Sequence, residues 1–92
     1  MTKLESKLLE LGYEEQPQDE TDWAYSEKTY HKYFGDKLVY IQIVIQNLFF
    51  ETISCADCRV KYNIINEDLL KRQKMALEQL QKDLEVLKEY EH

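Results

Sequence analysis

The sequence predicts an α+β fold: a short N-terminal helix, an antiparallel sheet of three or four strands and a long C-terminal helix. Three observations carry this. Leucines recur at helical spacing within the first dozen residues. Residues 37–46, KLVYIQIVIQ, alternate so that Val39, Ile41, Ile43 and Ile45 share one face. From Leu69 to Tyr90 neither Gly nor Pro interrupts a helix-forming run. With 92 residues, 43% apolar and 33% charged, the chain reads as one globular domain, residues 1–92, built around one core.

The first helix is assigned to residues 1–12. Thr2-Lys3-Leu4-Glu5 has the spacing of a capping box, in which the Thr2 hydroxyl and the Glu5 carboxylate satisfy each other's backbone amides. Leu4, Leu8 and Leu11 form its apolar stripe. Gly12 stands where a left-handed residue would close the helix, folding Tyr13 back onto Leu8. So short a helix is marginal alone, and its stripe has to dock on the rest of the chain. Residues 14–22, EEQPQDETD, hold five acids and the only proline, which reads as an exposed connector.

The sheet occupies residues 23–65. WAYSEKTYHKYF (23–34) is the first strand, Gly35-Asp36 a two-residue turn, and KLVYIQIVIQ the central strand. A tight Gln46-Asn47 connection leads to LFFETISC (48–55), placing Ile45 opposite Leu48 and Ile43 opposite Phe50. RVKYNII (59–65) makes a short fourth strand. The sheet's second face, with Tyr40, Val44, Phe49 and Ile53, is apolar enough to need covering by the first helix or by another molecule. Asn66 then caps the helix of residues 66–91, with Glu67 and Asp68 in its first turn where the helix dipole favours acids.

Cys55 and Cys58 are the only cysteines, separated by Ala56-Asp57. With strands on both sides they would oppose each other across a hairpin, side chains on one face. Three readings stay open: two small apolar residues, a zinc knuckle, or a redox pair. Zinc needs four ligands. His31 reads as a strand side chain and His92 is terminal, so a zinc site would have to be shared across a dimer, one Cys55/Cys58 pair from each subunit. A redox pair needs a depressed thiol pKa, which β-like flanks and Asp57 oppose.

Net charge is −6 and sits at the front. Residues 1–22 hold two Lys against seven Asp or Glu, a balance of −5. No basic stripe exists to neutralise phosphates, which argues against direct nucleic-acid contact and for a basic protein partner, with Glu14, Glu15, Asp19, Glu20 and Asp22 as the contact. The N-terminus lacks the apolar centre of a signal peptide, and no apolar run approaches the roughly 20 residues of a membrane span. The expectation is a cytoplasmic protein that does not engage membranes. Neither glycine belongs to a phosphate loop, and Ser6, Ser26 and Ser54 have no evident His partner. No catalysis, and no cofactor beyond a shared zinc, is expected.

Leu70, Gln73, Leu77, Leu80, Leu84 and Leu87 follow a 3-4 spacing. Strands of about seven residues span roughly 23 Å and about 24 helical residues roughly 36 Å, so the end of the helix should overhang its sheet. The overhanging Leu84 and Leu87 would then need cover, either from the N-terminal helix or from the same helix of a second copy; the expectation is a homodimer through a short coiled coil of Leu77, Leu80, Leu84 and Leu87.

KLLELGYEE, YIQIVIQNLFFE and INEDLLKRQKMALEQL together resemble the small proteins of phages and prophages of Gram-positive bacteria, a likeness spanning most of the chain. It implies a non-enzymatic, protein-binding module with a Leu-Gly-aromatic N-terminal helix, an antiparallel sheet and a closing helix. Some of that group inhibit host machinery, anti-CRISPR proteins among them, and several are acidic and imitate nucleic acid. An acidic inhibitor of a host nucleic-acid-binding protein is therefore one alternative to the leading expectation of a self-associating protein-binding module, and a metal-dependent regulator using Cys55 and Cys58 is another.

Overall fold

In a computed structural model, which describes residues 2–17, 27–47, 50–61 and 66–91, the fold is α+β. Its elements are α1 (Lys3–Glu10), β1 (Glu14–Glu15), β2 (Glu27–Tyr33), β3 (Val39–Gln46), β4 (Thr52–Val60) and α2 (Glu67–Leu87), followed by a 3₁₀ turn at Lys88–Tyr90. The four strands form one antiparallel sheet in the order β1-β2-β3-β4.

Both ends of α1 form as their residues dictate. Thr2 and Glu5 make the reciprocal capping box. At the other end Gly12 takes φ +96°, and the Gly12 and Tyr13 amides donate to the Leu9 and Leu8 carbonyls at 3.1 and 3.0 Å. This closure turns Tyr13 into the core and directs Glu14-Glu15 onto β2 as an edge strand. The fourth strand of the sheet is thus this acidic pair. Of the segment expected to supply it, Arg59 and Val60 belong to β4, and residues 62–65 lie outside the described residues.

On β3, Val39, Ile41, Ile43 and Ile45 are each fully buried, and the intervening residues are not. Their face is covered by α2, which packs on β3 and β4, and by α1, whose Leu4 and Leu8 join the same core. The first turn is wider than two residues: residues 35–38 lie between Phe34 and Val39, which share a hydrogen bond. Gly35 has φ +83°, and a Cβ there would lie 2.9 Å from the Arg72 guanidinium, itself held by Asp36 at 2.8 Å and Asp68 at 2.5 Å. The positive φ favours glycine there, while the guanidinium, at the far end of a flexible side chain, could give way.

The third strand differs most from expectation. β4 begins at Thr52 and runs through Ser54-Cys55-Ala56-Asp57-Cys58 without a turn. Ile45 faces Ile53 and Ile43 faces Ala56, so the two-residue Gln46-Asn47 connection and its register do not form. Val44 pairs with Cys55 while Ile45 pairs with Ile53, leaving Ser54 as a β-bulge whose hydroxyl donates to the Val44 carbonyl at 3.1 Å. The bulge moves Ile53 onto the core side.

Strands this long also remove the overhang. Nine residues of β4 span roughly 30 Å and the 21 residues of α2 roughly 31 Å. Leu87 is fully buried, Leu80 is buried, and Leu84 packs against the same core. These three leucines are shielded within the chain, and only Leu77 of the expected self-association set is exposed.

Two buried carboxylates tie the helices to β2. Glu5 of α1 meets Lys28 at 2.9 Å, and Asp83 of α2 meets Lys32 at 3.1 Å. Among the described residues no helix is long and apolar enough to cross a membrane.

Candidate functional site

Because both helices share one side of the sheet, no described element packs on the other. A thickness of 17 Å accommodates one helix layer on one sheet. The open side is set by strand alternation: His31 and Tyr33 of β2 stand beside Gln42 and Tyr40 of β3, with Tyr33 and Tyr40 directly paired.

The rings gather at the β2–β3 hairpin end. His31 lies 4.5 Å from Tyr40 and 6.0 Å from Tyr33, and the two tyrosine rings are 5.7 Å apart. The imidazole is held by Gln42 at 3.0 Å and by the Tyr33 hydroxyl at 3.3 Å, so both ring nitrogens have partners. With Gln16, Lys37 and Lys61 these rings line an open cup of about 200 Å³. The Lys37 ammonium sits over the Tyr33 ring at 5.7 Å. The cup offers ring faces for contact, hydroxyl and amide groups for hydrogen bonding, and the Lys37 ammonium for an anion.

Cys55 and Cys58 do not come together as a pair. Three residues apart on one continuous strand, they point to opposite faces: Cys55 is exposed on the open side and Cys58 packs against the core. Burial, then the charge of Asp57, pushes the Cys58 thiol above its ordinary pKa. The hairpin geometry expected for a zinc knuckle or a disulfide is absent. Among the described residues no three His, Cys, Asp or Glu side chains are placed to hold a metal ion.

Of the acidic contact set, Glu14 and Glu15 are exposed on β1, and Asp19, Glu20 and Asp22 lie outside the described residues. Ser6 is exposed on α1, the Ser54 hydroxyl is spent on the bulge, and Ser26 lies outside the described residues. Tyr33, Lys37 and Lys61 were not singled out by the residue pattern. The signal available was the outward parity of Tyr33 and Tyr40 on either side of Gly35-Asp36. Compared with known proteins, the chain matches no family model, no curated protein and no solved structure.

Proposed function

We propose that this protein is a non-catalytic binding module that holds an acidic segment of a partner protein on the open side of its sheet. The supporting observation is the one-sided packing: both helices cover one face, leaving three clustered rings and two lysines on the other. Lys37 pairs with a carboxylate of the partner at the rim that Lys61 also lines, and Tyr33, Tyr40 and His31 supply contact area with little side-chain entropy to lose. Glu14, paired with His31, and Asp57, paired with Gln42, border the cup, and only acids beyond a Debye length of about 8 Å at physiological ionic strength are screened from it. A binding role without catalysis is also what the resemblance to small phage and prophage proteins implies.

An array of immobilised peptides of graded charge tests the reading. Wild type retains acidic peptides, and a Lys37→Glu, Lys61→Glu variant with an unchanged circular dichroism spectrum loses them by tenfold or more. Retention of basic peptides instead would transfer the function to Glu14 and Glu15 at the sheet edge, and retention of single-stranded DNA over acidic peptides would refute a protein partner for the cup.

A further inference from the structure

We propose that the free edge of β4 pairs antiparallel with the β4 of a second copy of this chain, joining two sheets into one with both α2 helices on the same side. β4 is the outermost strand, and no strand among the described residues pairs with its other edge. The ladder fixes which backbone groups face outward. The Lys61 amide donates to the Leu38 carbonyl at 2.7 Å, so alternation turns Cys55, Asp57 and Arg59 toward β3 and Ala56, Cys58 and Val60 toward the free edge.

Sheets protect their edges by brevity, charge, proline or bulges. The opposite edge obeys this rule, since β1 is two residues long and both are acidic. β4 is nine residues long, contains no Pro, carries its two charges, Asp57 and Arg59, as an exposed pair 3.3 Å apart within the strand, and has its bulge near one end, leaving residues 55–60 regular.

Charge selects both the occupant and the register. A two-fold pairing centred on Asp57 or on Arg59 sets like charges opposite each other, and one centred on Ala56 sets Asp57 opposite Cys55. Centring on Cys58 sets Asp57 opposite the second copy's Arg59 and Arg59 opposite its Asp57, with Ala56 facing Val60 on the core side. In the same register Cys58 exchanges both backbone hydrogen bonds with its twin, as its outward amide and carbonyl require. Above this seam Leu70 and Leu77 of α2 are 51% and 47% exposed. They occupy the flank turned away from Asp83 and Arg72, which reach β2 and the hairpin, so the two helices present these leucines to each other across the junction. Self-association thus uses a strand edge and Leu77, not the buried Leu80 and Leu87 or the half-buried Leu84.

Sedimentation equilibrium over the micromolar range on the full chain decides it. Wild type forms a dimer. Asp57→Arg sets two arginines opposite each other at each end of the register and weakens the dimer roughly tenfold, and adding Arg59→Asp to the same chain restores it. Ala56→Pro removes an amide that β3 does not use and yields a monomer. Wild type monomeric at several hundred micromolar overturns the proposal, as does a dimer that Asp57→Arg leaves unweakened or that the double variant fails to restore. Should Ala56→Pro fail to fold, the charge exchange alone decides.

Discussion

Glu5 and Asp83 are both buried carboxylates, one on each helix, and each meets a lysine from the core side of β2, but they are held in different ways. Glu5 sits in the first turn of α1, where the dipole favours negative charge, and accepts from the Thr2 amide at 3.3 Å, Lys28 at 2.9 Å and Asn47 at 3.3 Å. Lys28 keeps 32% of its side chain exposed and has Glu15 as a second acid at 3.9 Å. Asp83 lies in the body of α2, its partners are all side chains, and it is 2% exposed: the Tyr13 hydroxyl donates to it at 2.8 Å, Lys32 at 3.1 Å and Gln79 at 2.9 Å. The difference teaches that such a pair is ranked by what its loss leaves behind. Without Glu5, Lys28 turns to Glu15 and water; without Asp83, the buried Tyr13 hydroxyl loses its acceptor and Lys32, with 19% of its side chain exposed, loses its carboxylate.

The largest test of that contrast is Asp83→Ala, expected to cost about 2 kcal/mol in urea unfolding, because the buried Tyr13 hydroxyl and the half-buried Lys32 both lose their acceptor. Joining Asp83→Leu to Lys32→Met should recover most of this, since an apolar pair of similar volume costs far less than a lone half-buried charge. A double variant as unstable as Asp83→Ala would show that the network itself, and not the unpaired lysine, sets the cost.

Glu5→Ala comes next, at about 1.5 kcal/mol near neutral pH. Burial pushes the Glu5 carboxyl up, but the Lys28 hydrogen bond, the Thr2 amide, the Lys28 charge and Asn47 together hold it below the usual carboxylate value. Its stabilisation is therefore complete above the unfolded pKa of roughly 4.3 and is lost as pH falls through the lower folded value. Melting temperatures measured from pH 7 to pH 3 should fall less steeply for Glu5→Ala than for wild type.

A smaller effect, about 1 kcal/mol, is expected for Tyr13→Phe, which deprives Asp83 of a donor. Burial first, then the hydrogen bond to Asp83 and its charge, raise the Tyr13 pKa, and burial raises that of Tyr30. Their contribution is full below the unfolded tyrosine pKa of about 10 and declines as pH rises above it, so Tyr13→Phe should also flatten the alkaline limb of the stability curve. Gln79→Ala, removing one neutral donor from a partly exposed position, should cost only about 0.5 kcal/mol by the same measurement.

What the sequence made legible was local chemistry. Thr2 and Glu5 name the start of α1, Gly12 its end, and Asn66 the start of α2, where its side chain accepts from the Leu69 amide at 2.9 Å. The buried face of β3 is equally plain because its period of two is unbroken. β4 was illegible because Ser54 inserts one residue: the core-facing set Ile53, Ala56, Cys58 and Val60 changes parity inside the strand and imitates two strands with a turn between them. The fate of Leu84 and Leu87 followed from the same misreading, since a sheet judged too short cannot cover its helix. Asp83 sits beside the leucine stripe, where a charge normally faces solvent, and nothing nearby in sequence announces Tyr13 or Lys32. The ring cup depends on pairings across a hairpin and on which face the helices choose, and both are tertiary outcomes.

The inserted serine has a practical consequence for the two thiols. A single extra residue assigns Cys55 to the exposed face and Cys58, half-buried, to the core side of one strand. The protein therefore carries its own preferentially addressable handle: an alkylating fluorophore will modify Cys55 faster than Cys58, whose thiol is partly covered and raised in pKa, and the two rates will converge once the chain unfolds. The ratio of the two labelling rates then reports how tightly β4 is held, from a probe planted on the open face of the sheet.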